Sequence, residues 1–339
     1  IISFFDLGSM NKYLIIGLII SFASIALVFA LTFDVSTIER IREIDPKWFL
    51  MAILLHVLSW VVWGLRIKVM CRYMNEEMNL GLRESISIAL SNLFLAAVTP
   101  SSIGGEPIRI HLLSKKGFGV GRSTAIVVGE RIFDAIFITV SLPIAFFILD
   151  TYIENRTMRL ALFAGMILFV IGIALFVYAV LHPTFMKRFF KFIIRKMKMG
   201  RLEEKMERIL EKIDGFVESF QRGAREIFSL RKRSAIAIIL AITSIYWLLE
   251  FLIPSCILKG LGQDPVILQS IAAQVLLVVM SIIPISPGGS GIAEGGAALL
   301  YSFLVPNRSV LGVFILGWRS ATYYLNVVVG GIFQHRIFK

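Results

Sequence analysis

The chain has 339 residues, of which 57% are hydrophobic and only 17% are charged, and its mean hydropathy is +0.81. A soluble protein cannot bury so much apolar surface, so the composition predicts an all-α polytopic membrane protein. Two cysteines exclude a disulfide framework or a cysteine-based metal site. The net charge of +12 does not indicate nucleic acid, because the basic residues gather in loops beside apolar segments.

Six segments have the length and hydropathy of full membrane spans, since about 20 apolar residues cross ~30 Å of hydrocarbon. In chain order they are Tyr13–Phe33, Trp48–Leu65, Arg122–Leu149, Leu160–Leu181, Ser234–Leu258 and Ser309–Phe333. Residues 1–9 end in Gly8-Ser9 before Met10 and look like a tag remnant. We therefore expect a single membrane domain over residues 10–339.

Two further apolar segments are short and are interrupted by proline and glycine. Glu84–Val98 stops at Thr99-Pro100, and a short amphipathic piece, Glu106–Ser114, follows. Val266–Ile283 stops at a second Pro/Gly-rich break, and Ile292–Leu304 follows. Each pair predicts a re-entrant helical hairpin, because backbone freed at such a break is tolerated only inside protein or beside a wet cavity. The alternative for Val266–Ile283, with 18 residues, is that it crosses completely.

The two breaks belong to an internal duplication. Glu106 precedes Arg131 by 25 residues, and Glu294 precedes Arg319 by the same 25, so the two units are offset by 188 residues. Each unit is span, hairpin, span, over residues 48–148 and 234–333. The single linking span 160–181 places the second unit upside down, and inverted repeats with broken helices are typical of secondary transporters.

The distribution of basic residues predicts the orientation. The polar region 182–233 contains 15 Lys and Arg and is interpreted as cytoplasmic. Phe185–Met197 has the composition of a helix on the membrane surface, and an apolar stripe from Leu202 to Phe220 predicts packing between cytoplasmic helices. Both termini then lie in the cytoplasm, with 26 basic residues on that side of the cell membrane, seven outside and two within spans.

Charged side chains within or near the apolar segments are the candidate functional residues, because an ionised group at a helix centre costs ~2.5–3.5 kcal/mol. We expect a polar cavity in which Arg131 and Arg319 bind a phosphate. Helix-start N–H groups near Gly105 and Gly291 would favour the same anion, while the acids would face a cation or carry protons. The predicted substrate-binding residues are Ser101, Ser102, Gly104, Gly105, Glu106, Arg109, Glu130, Arg131, Asp134, Glu250, Ser290, Glu294 and Arg319.

Structural roles are the alternative for the same residues. Arg131 and Arg319 could pair with glutamates to hold the two repeats together, and the serines could cap the broken helices. The four histidines form no spacing pattern and are interpreted as packing or loop residues.

The runs TPSSIGGEPIRIHLLSKKG (from Thr99), VVGERIFDAI (from Val127) and PISPGGSGIAEGGAALLY (from Pro284) resemble the lysylphosphatidylglycerol synthase transmembrane-region family. That family includes the flippase-like membrane half of the multiple peptide resistance factor. The resemblance covers the chain from about Met10 onwards and implies movement of a phospholipid or lipid-linked head group between leaflets. No aminoacyl-transferase domain is recognisable in the 339 residues, so the resemblance does not imply synthase activity.

The predicted function is accordingly a lipid flippase or transporter that is not an enzyme and uses no cofactor or metal. Two alternatives stay open. One is an intramembrane lipid-modifying transferase, since paired carboxylates can act as general acid and base. The other is a membrane scaffold that docks a soluble lipid-modifying enzyme through residues 182–233.

Overall fold

A computed structural model describes residues 44–74, 80–99, 104–153, 155–181, 217–227, 233–281, 289–305 and 308–338, with isolated positions at residue 215 and between 19 and 30. The predicted span Tyr13–Phe33 and the predicted surface helix Phe185–Met197 fall outside these continuous ranges, as do Ser101 and Ser102. Within the described part, regular structure is entirely helical.

In the described part of the chain, ten α-helices follow one another in an order that repeats. The first set comprises α1 (Pro46–Met74), α2 (Leu82–Val98), α3 (Gly105–Leu113) and α4 (Gly119–Asp150). Helix α5 (Arg156–Leu181) follows. The second set comprises α6 (Arg233–Gly260), α7 (Ile267–Ser281), α8 (Ile292–Tyr301) and a last pair, α9 (Leu311–Arg319) and α10 (Leu325–Phe338). The order long, short, short, long therefore occurs twice.

Four of the described helices, α1, α4, α5 and α6, are long and apolar enough to cross a membrane. They correspond to four of the six predicted spans, with ends that differ by a few residues. The predicted last span is helical over Arg308–Phe338 but contains a π-helical segment, Ser320–Tyr324, directly after Arg319. Large apolar side chains such as Val140, Phe147 and Leu168 point outward, as lipid-facing residues would.

The four short helices form two helix–break–helix units whose chains turn back. Lys116 Nζ, after α3, lies 2.5 Å from Glu84 Oε1 at the start of α2. The Tyr301 hydroxyl, at the end of α8, lies 2.8 Å from Ser270 Oγ near the start of α7. Helix α7 has only 15 residues, about 22 Å at 1.5 Å per residue, and α8 returns to its starting end.

The two turned-back units begin at opposite ends of α4. Lys116 precedes α4 by a tight turn in which Gly117 and Gly119 have φ angles of 98° and 70°, backbone conformations that glycine adopts without steric cost. The unit α2–α3 therefore starts beside the first turn of α4. At the other end of α4, Tyr152 accepts a hydrogen bond of 3.0 Å from Gln269 in the first turn of α7.

Helices of the two sets pack against each other in corresponding pairs. Helices α1 and α6 contact each other and run antiparallel, since the N–H of Asp45 donates to the Gly260 carbonyl at 2.9 Å. Helix α2 packs against α10, and α7 packs against α4. The first short helix of each set thus packs against the last helix of the other set.

Two sequence-based placements change. Helix α1 continues past Leu65 to Met74, so Arg66 lies inside a helix and not in a loop. Arg66 and Arg109, both counted among the 26 cytoplasmic basic residues, are buried and do not contribute to the charge bias.

Of the apolar stripe predicted from Leu202 to Phe220, the structure describes only Phe220, in the helical stretch 217–227. Phe220 is buried in an apolar cluster with Phe118 and Ala125. This stretch therefore packs against the first turns of α4.

Candidate functional site

Glu130 on α4 is the centre of a buried charged network. Its Oε1 accepts hydrogen bonds from Trp63 Nε1 at 2.9 Å and from Arg66 Nε at 3.1 Å. Its Oε2 accepts a short hydrogen bond from Arg109 on α3. One carboxylate therefore joins α1, α3 and α4.

The network continues to Asp134, one turn further along α4. Arg66 Nη1 donates to Asp134 Oδ1 at 2.6 Å, and Trp247 Nε1 of α6 donates to the same oxygen at 3.0 Å. Arg131 Nη1 lies 3.5 Å from Asp134 Oδ2. The second set of helices thus contacts the network through Trp247.

Arg131 and Glu106 form the more accessible edge of the network. Arg131 donates from Nε and Nη2 to Glu106 Oε1, at 3.0 and 2.5 Å, and its side chain is 42% exposed. Together these groups form the six-charge cluster, in which three arginines balance three acids: Arg66, Glu106, Arg109, Glu130, Arg131 and Asp134.

Arg109 is incompletely paired in spite of its burial. Its side chain is 1% exposed, with the guanidinium carbon 5.1 Å from the centre of the Trp63 ring. Nε and Nη2 have no hydrogen-bond partner among the described residues, and the same holds for Oε2 of Glu106. Buried polar groups are normally satisfied, so unpaired N–H groups on a buried arginine suggest that a further acceptor binds there.

The second set contains a smaller pair at the corresponding positions. Arg319 Nε lies 2.9 Å from Glu294 Oε1, and the Glu294 side chain is 0% exposed. Glu294 Oε2 also accepts the N–H of Gly291 at 2.6 Å, and Arg319 Nη2 donates to Ser290 Oγ at 3.4 Å. The equal spacing of 25 residues therefore corresponds to an ion pair in both sets, each formed within its own set.

Tyr323 connects the Glu294–Arg319 pair to the first break. Its ring centre lies 4.1 Å from the guanidinium carbon of Arg319, and its hydroxyl donates to the carbonyl of Ala97 at 3.3 Å. Ala97 lies in the last turn of α2. The ends of the two broken units therefore lie close together inside the bundle.

One N–H group at the start of α3 and one at the start of α8 are bound by the protein itself. The N–H of Gly291 binds Glu294, and the N–H of Gly104 donates to Thr99 Oγ1 at 2.8 Å. Gly105 packs against Asn92, since a Cβ on Gly105 would lie 1.8 Å from Asn92 Oδ1.

Glu250 lies apart from both groups, in a site formed by three helices. Its Oε1 lies 2.8 Å from His56 Nδ1 of α1 and accepts a short hydrogen bond from Ser59. The other ring nitrogen, His56 Nε2, lies 3.0 Å from Asn326 Oδ1 of α10. We refer to these four residues as the His56–Glu250 site.

Several of these residues were missed from the sequence. Arg66 follows the predicted end of a span at Leu65, and the histidines are interpreted as packing or loop residues. Yet His56, Ser59, Trp63 and Arg66 are spaced at i, i+3, i+7 and i+10. That spacing places all four on one face of a helix, and this polar face is the signal that identifies them. Trp247 and Asn326 carry no comparable signal.

Among the described residues, no group of three or more His, Cys, Asp and Glu side chains is placed to hold a metal ion. The arginines and carboxylates of the site can exchange partners, and they can bind an anion or a proton.

The chain is similar along most of its length to several membrane proteins. A UPF0104 membrane protein of Archaeoglobus fulgidus is 33% identical over 322 residues, covering 94% of both chains. Another, from Pyrococcus horikoshii, is 27% identical over 335 residues, covering 95% of this chain and 96% of the relative. A third, from Methanothermobacter thermautotrophicus, is 23% identical over 295 residues, covering 86% of each chain.

The family match spans residues 14–330, which include both broken units and every residue of the six-charge cluster. It confirms the resemblance inferred from the three sequence motifs. The chain is a membrane protein of the lysylphosphatidylglycerol synthase transmembrane-region family.

Proposed function

We propose that this protein is a lipid transporter, which moves a phospholipid or lipid-linked head group between leaflets and catalyses no chemical reaction. The observation that carries the proposal is the six-charge cluster, in which Arg109 is buried with unpaired N–H groups. Six charges inside an apolar bundle are expensive to keep, and intramembrane ionisable residues of this kind generally mark substrate pathways.

The proposed architecture has six full spans and two re-entrant hairpins, arranged as an inverted repeat. Its support is the pairing of helices: α1 with α6, α2 with α10, and α7 with α4. The broken units begin at opposite ends of α4, as a twofold axis in the membrane plane requires. Such axes relate the halves of many transporters, whose substrates bind where the broken helices meet near the midplane.

Arg131 is the proposed first contact for the phosphate of the head group. It is the most exposed arginine of the cluster, and its ion-pair partners among the described residues are Glu106 and Asp134. A phosphate can replace a carboxylate on a guanidinium, because both offer two oxygens to its paired N–H groups. Displacement of Glu106 would also bring phosphate oxygens towards the unpaired Nε and Nη2 of Arg109, while the acyl tails stay in the bilayer.

The proposed location is the cell membrane, with both termini and residues 182–233 in the cytoplasm. The turn between α3 and α4 supports this orientation, because Lys115 and Lys116 are exposed there. Arg83 lines a cleft together with these two lysines. Basic residues beside spans are enriched on the cytoplasmic side.

Transport of fluorescently labelled phospholipid in liposomes tests the proposal. We expect the reconstituted protein to move the label between leaflets, and we expect Arg131→Ala and Glu106→Ala to reduce the rate at least about tenfold, the loss of roughly one charge-assisted hydrogen bond. Arg159→Ala is the matched control, because Arg159 pairs with Asp150 at the far end of α4. The Arg159→Ala protein should transport lipid at the native rate. Equal rates in all four proteins would reject the proposed roles, and no movement by the native protein would reject the function.

A further inference from the structure

Glu250 differs from the other acids in the described part of the bundle because no arginine or lysine there neutralises it. Glu106, Glu130, Asp134 and Glu294 each lie within 4.0 Å of an arginine nitrogen. Among the described residues, the only Lys, Arg or His nitrogen at that distance from Glu250 is His56 Nδ1. A lone carboxylate in an apolar bundle is costly, so the charge of this site is set by protons.

The hydrogen-bond partners of His56 fix how many protons the site holds. Both ring nitrogens face oxygen atoms, Glu250 Oε1 and Asn326 Oδ1. A neutral imidazole next to a carboxylate would direct a lone pair at one of these acceptors. One extra proton, shared between His56 Nδ1 and Glu250 Oε1, removes that conflict and makes the site electrically neutral.

Among the described residues, the surroundings provide no other charge to replace this proton. On α1 the neighbours are Ser59, which donates to Glu250, and Trp60, whose ring lies 5.0 Å from that of His56. On α10 and the π segment before it the neighbours are Asn326 and Thr322, which are neutral. On α6, Tyr246 lies one turn before Glu250, and the guanidinium carbon of Arg66 is 5.3 Å from the centre of the Tyr246 ring. Asp134 of α4 accepts a hydrogen bond from Trp247, three residues before Glu250.

We infer that the His56–Glu250 site binds the proton whose movement drives transport. His56 belongs to the first set of helices, and Glu250 and Asn326 to the second, so the shared proton joins the two halves. Its release to water leaves a neutral imidazole with one N–H, which can donate to Glu250 or to Asn326 but not to both. The contact between α1 and the second set is then weakened, and the return of the proton restores it. The Glu250 side chain is 18% exposed and that of His56 is 4% exposed, so the proton enters and leaves at Glu250.

This inference rests on the proposed transport function, and a pH gradient across liposomes separates the two. For one proton per lipid, one pH unit biases the steady-state distribution of labelled phospholipid by up to about tenfold. We expect this bias in the native protein and its loss in Glu250→Gln and His56→Gln. Asp150→Asn, which removes a carboxylate at the end of α4, should keep the bias.

Each outcome is informative. Native protein that equilibrates lipid without responding to the gradient overturns the proton site and leaves the transporter standing, whereas native protein that moves no lipid rejects the transport function and, with it, this inference. If the variants fold poorly, the imidazole signals of the four histidines in NMR spectra of the native protein provide the test. The His56 signal should change with pH, and a signal that stays constant at every pH at which the protein remains folded overturns the inference.

Discussion

Glu130 is the residue on which the buried charges of the first set depend. It accepts hydrogen bonds from Trp63, Arg66 and Arg109, and the side chains of both arginines are almost completely buried. A buried charge that has lost its partner is strongly destabilising, whereas an exposed pair contributes little. Glu130 should therefore matter for stability as well as for any ligand.

Glu130→Gln removes the charge but keeps the shape of the side chain. We expect the free energy of unfolding to fall by about 3–5 kcal/mol, because Arg66 loses one of its two acids and Arg109 loses its only hydrogen bond. Thermal unfolding in detergent measures the change as a lowered Tm. Asp150→Asn is the control, since Asp150 lies in an exposed pair with Arg159 and should cost no more than about 1 kcal/mol. Equal Tm shifts in the two variants would show that the network is not a stabilising element.

At this scale the sequence predicts which charges are buried better than it predicts their partners. The sequence offers ion pairing of Arg131 only as an alternative and between the repeats, whereas the structure pairs Arg131 with Glu106 of the same unit. The sequence marks Arg109 as a candidate without giving it a partner, and in the structure Arg109 donates to Glu130. Periodicity along one helix identifies a shared face, whereas the partner across the bundle depends on tertiary packing.

At the level of secondary-structure elements, helices from different sets approach each other closely where one of them carries a small residue. Gly330 on α10 lies against α2, and a Cβ there would be 2.4 Å from the backbone nitrogen of Phe94 and 2.9 Å from Leu93 Cβ. Small residues at such contacts are typical of helix pairs in membranes, because they allow backbones to approach.

Gly330→Ala should push α2 and α10 apart. The added methyl group meets backbone, which cannot rotate away as a side chain can, so we expect a loss of about 1–3 kcal/mol in unfolding free energy. Gly172→Ala on α5 is the matched control, because a Cβ there meets nothing within 4 Å and alanine favours a helix by about 0.5–1 kcal/mol. Thermal unfolding should separate the two variants in opposite directions. A Gly330→Ala protein as stable as the control would mean that the α2–α10 contact is looser than described.

Hydropathy located the described long helices because about 20 apolar residues give a strong signal. It did not reveal the π segment Ser320–Tyr324 or the extension of α1 to Met74. Both depend on local hydrogen bonding and on partners elsewhere in the chain. The proline and glycine breaks predicted the bounds of the short helices better than hydropathy did. Helix α2 ends at the first break, and α8 begins at the second.

For the molecule as a whole, the most consequential feature is that the broken units start at opposite ends of α4. The side chain of Glu84 reaches Lys116 at one end, and that of Gln269 reaches Tyr152 at the other. The sequence indicated this arrangement through a single intervening span and the sign of loop charges. It could not show that Tyr323 joins the two broken units inside the bundle, since that contact is 226 residues apart along the chain.

Cysteine labelling tests whether the two ends of the bundle face opposite sides of the membrane. With Cys71 and Cys256 replaced by alanine, single cysteines at Lys115 and Asp264, which are both exposed, mark the first and second broken units. We expect a membrane-impermeant thiol reagent to label Asp264→Cys from outside intact cells, and Lys115→Cys only after the membrane is opened, because each unit returns to its own side. Asn155→Cys, between α4 and α5, should follow Asp264→Cys. Labelling of Lys115→Cys and Asp264→Cys from the same side would contradict the inverted repeat and leave the proposed transport mechanism without its symmetry.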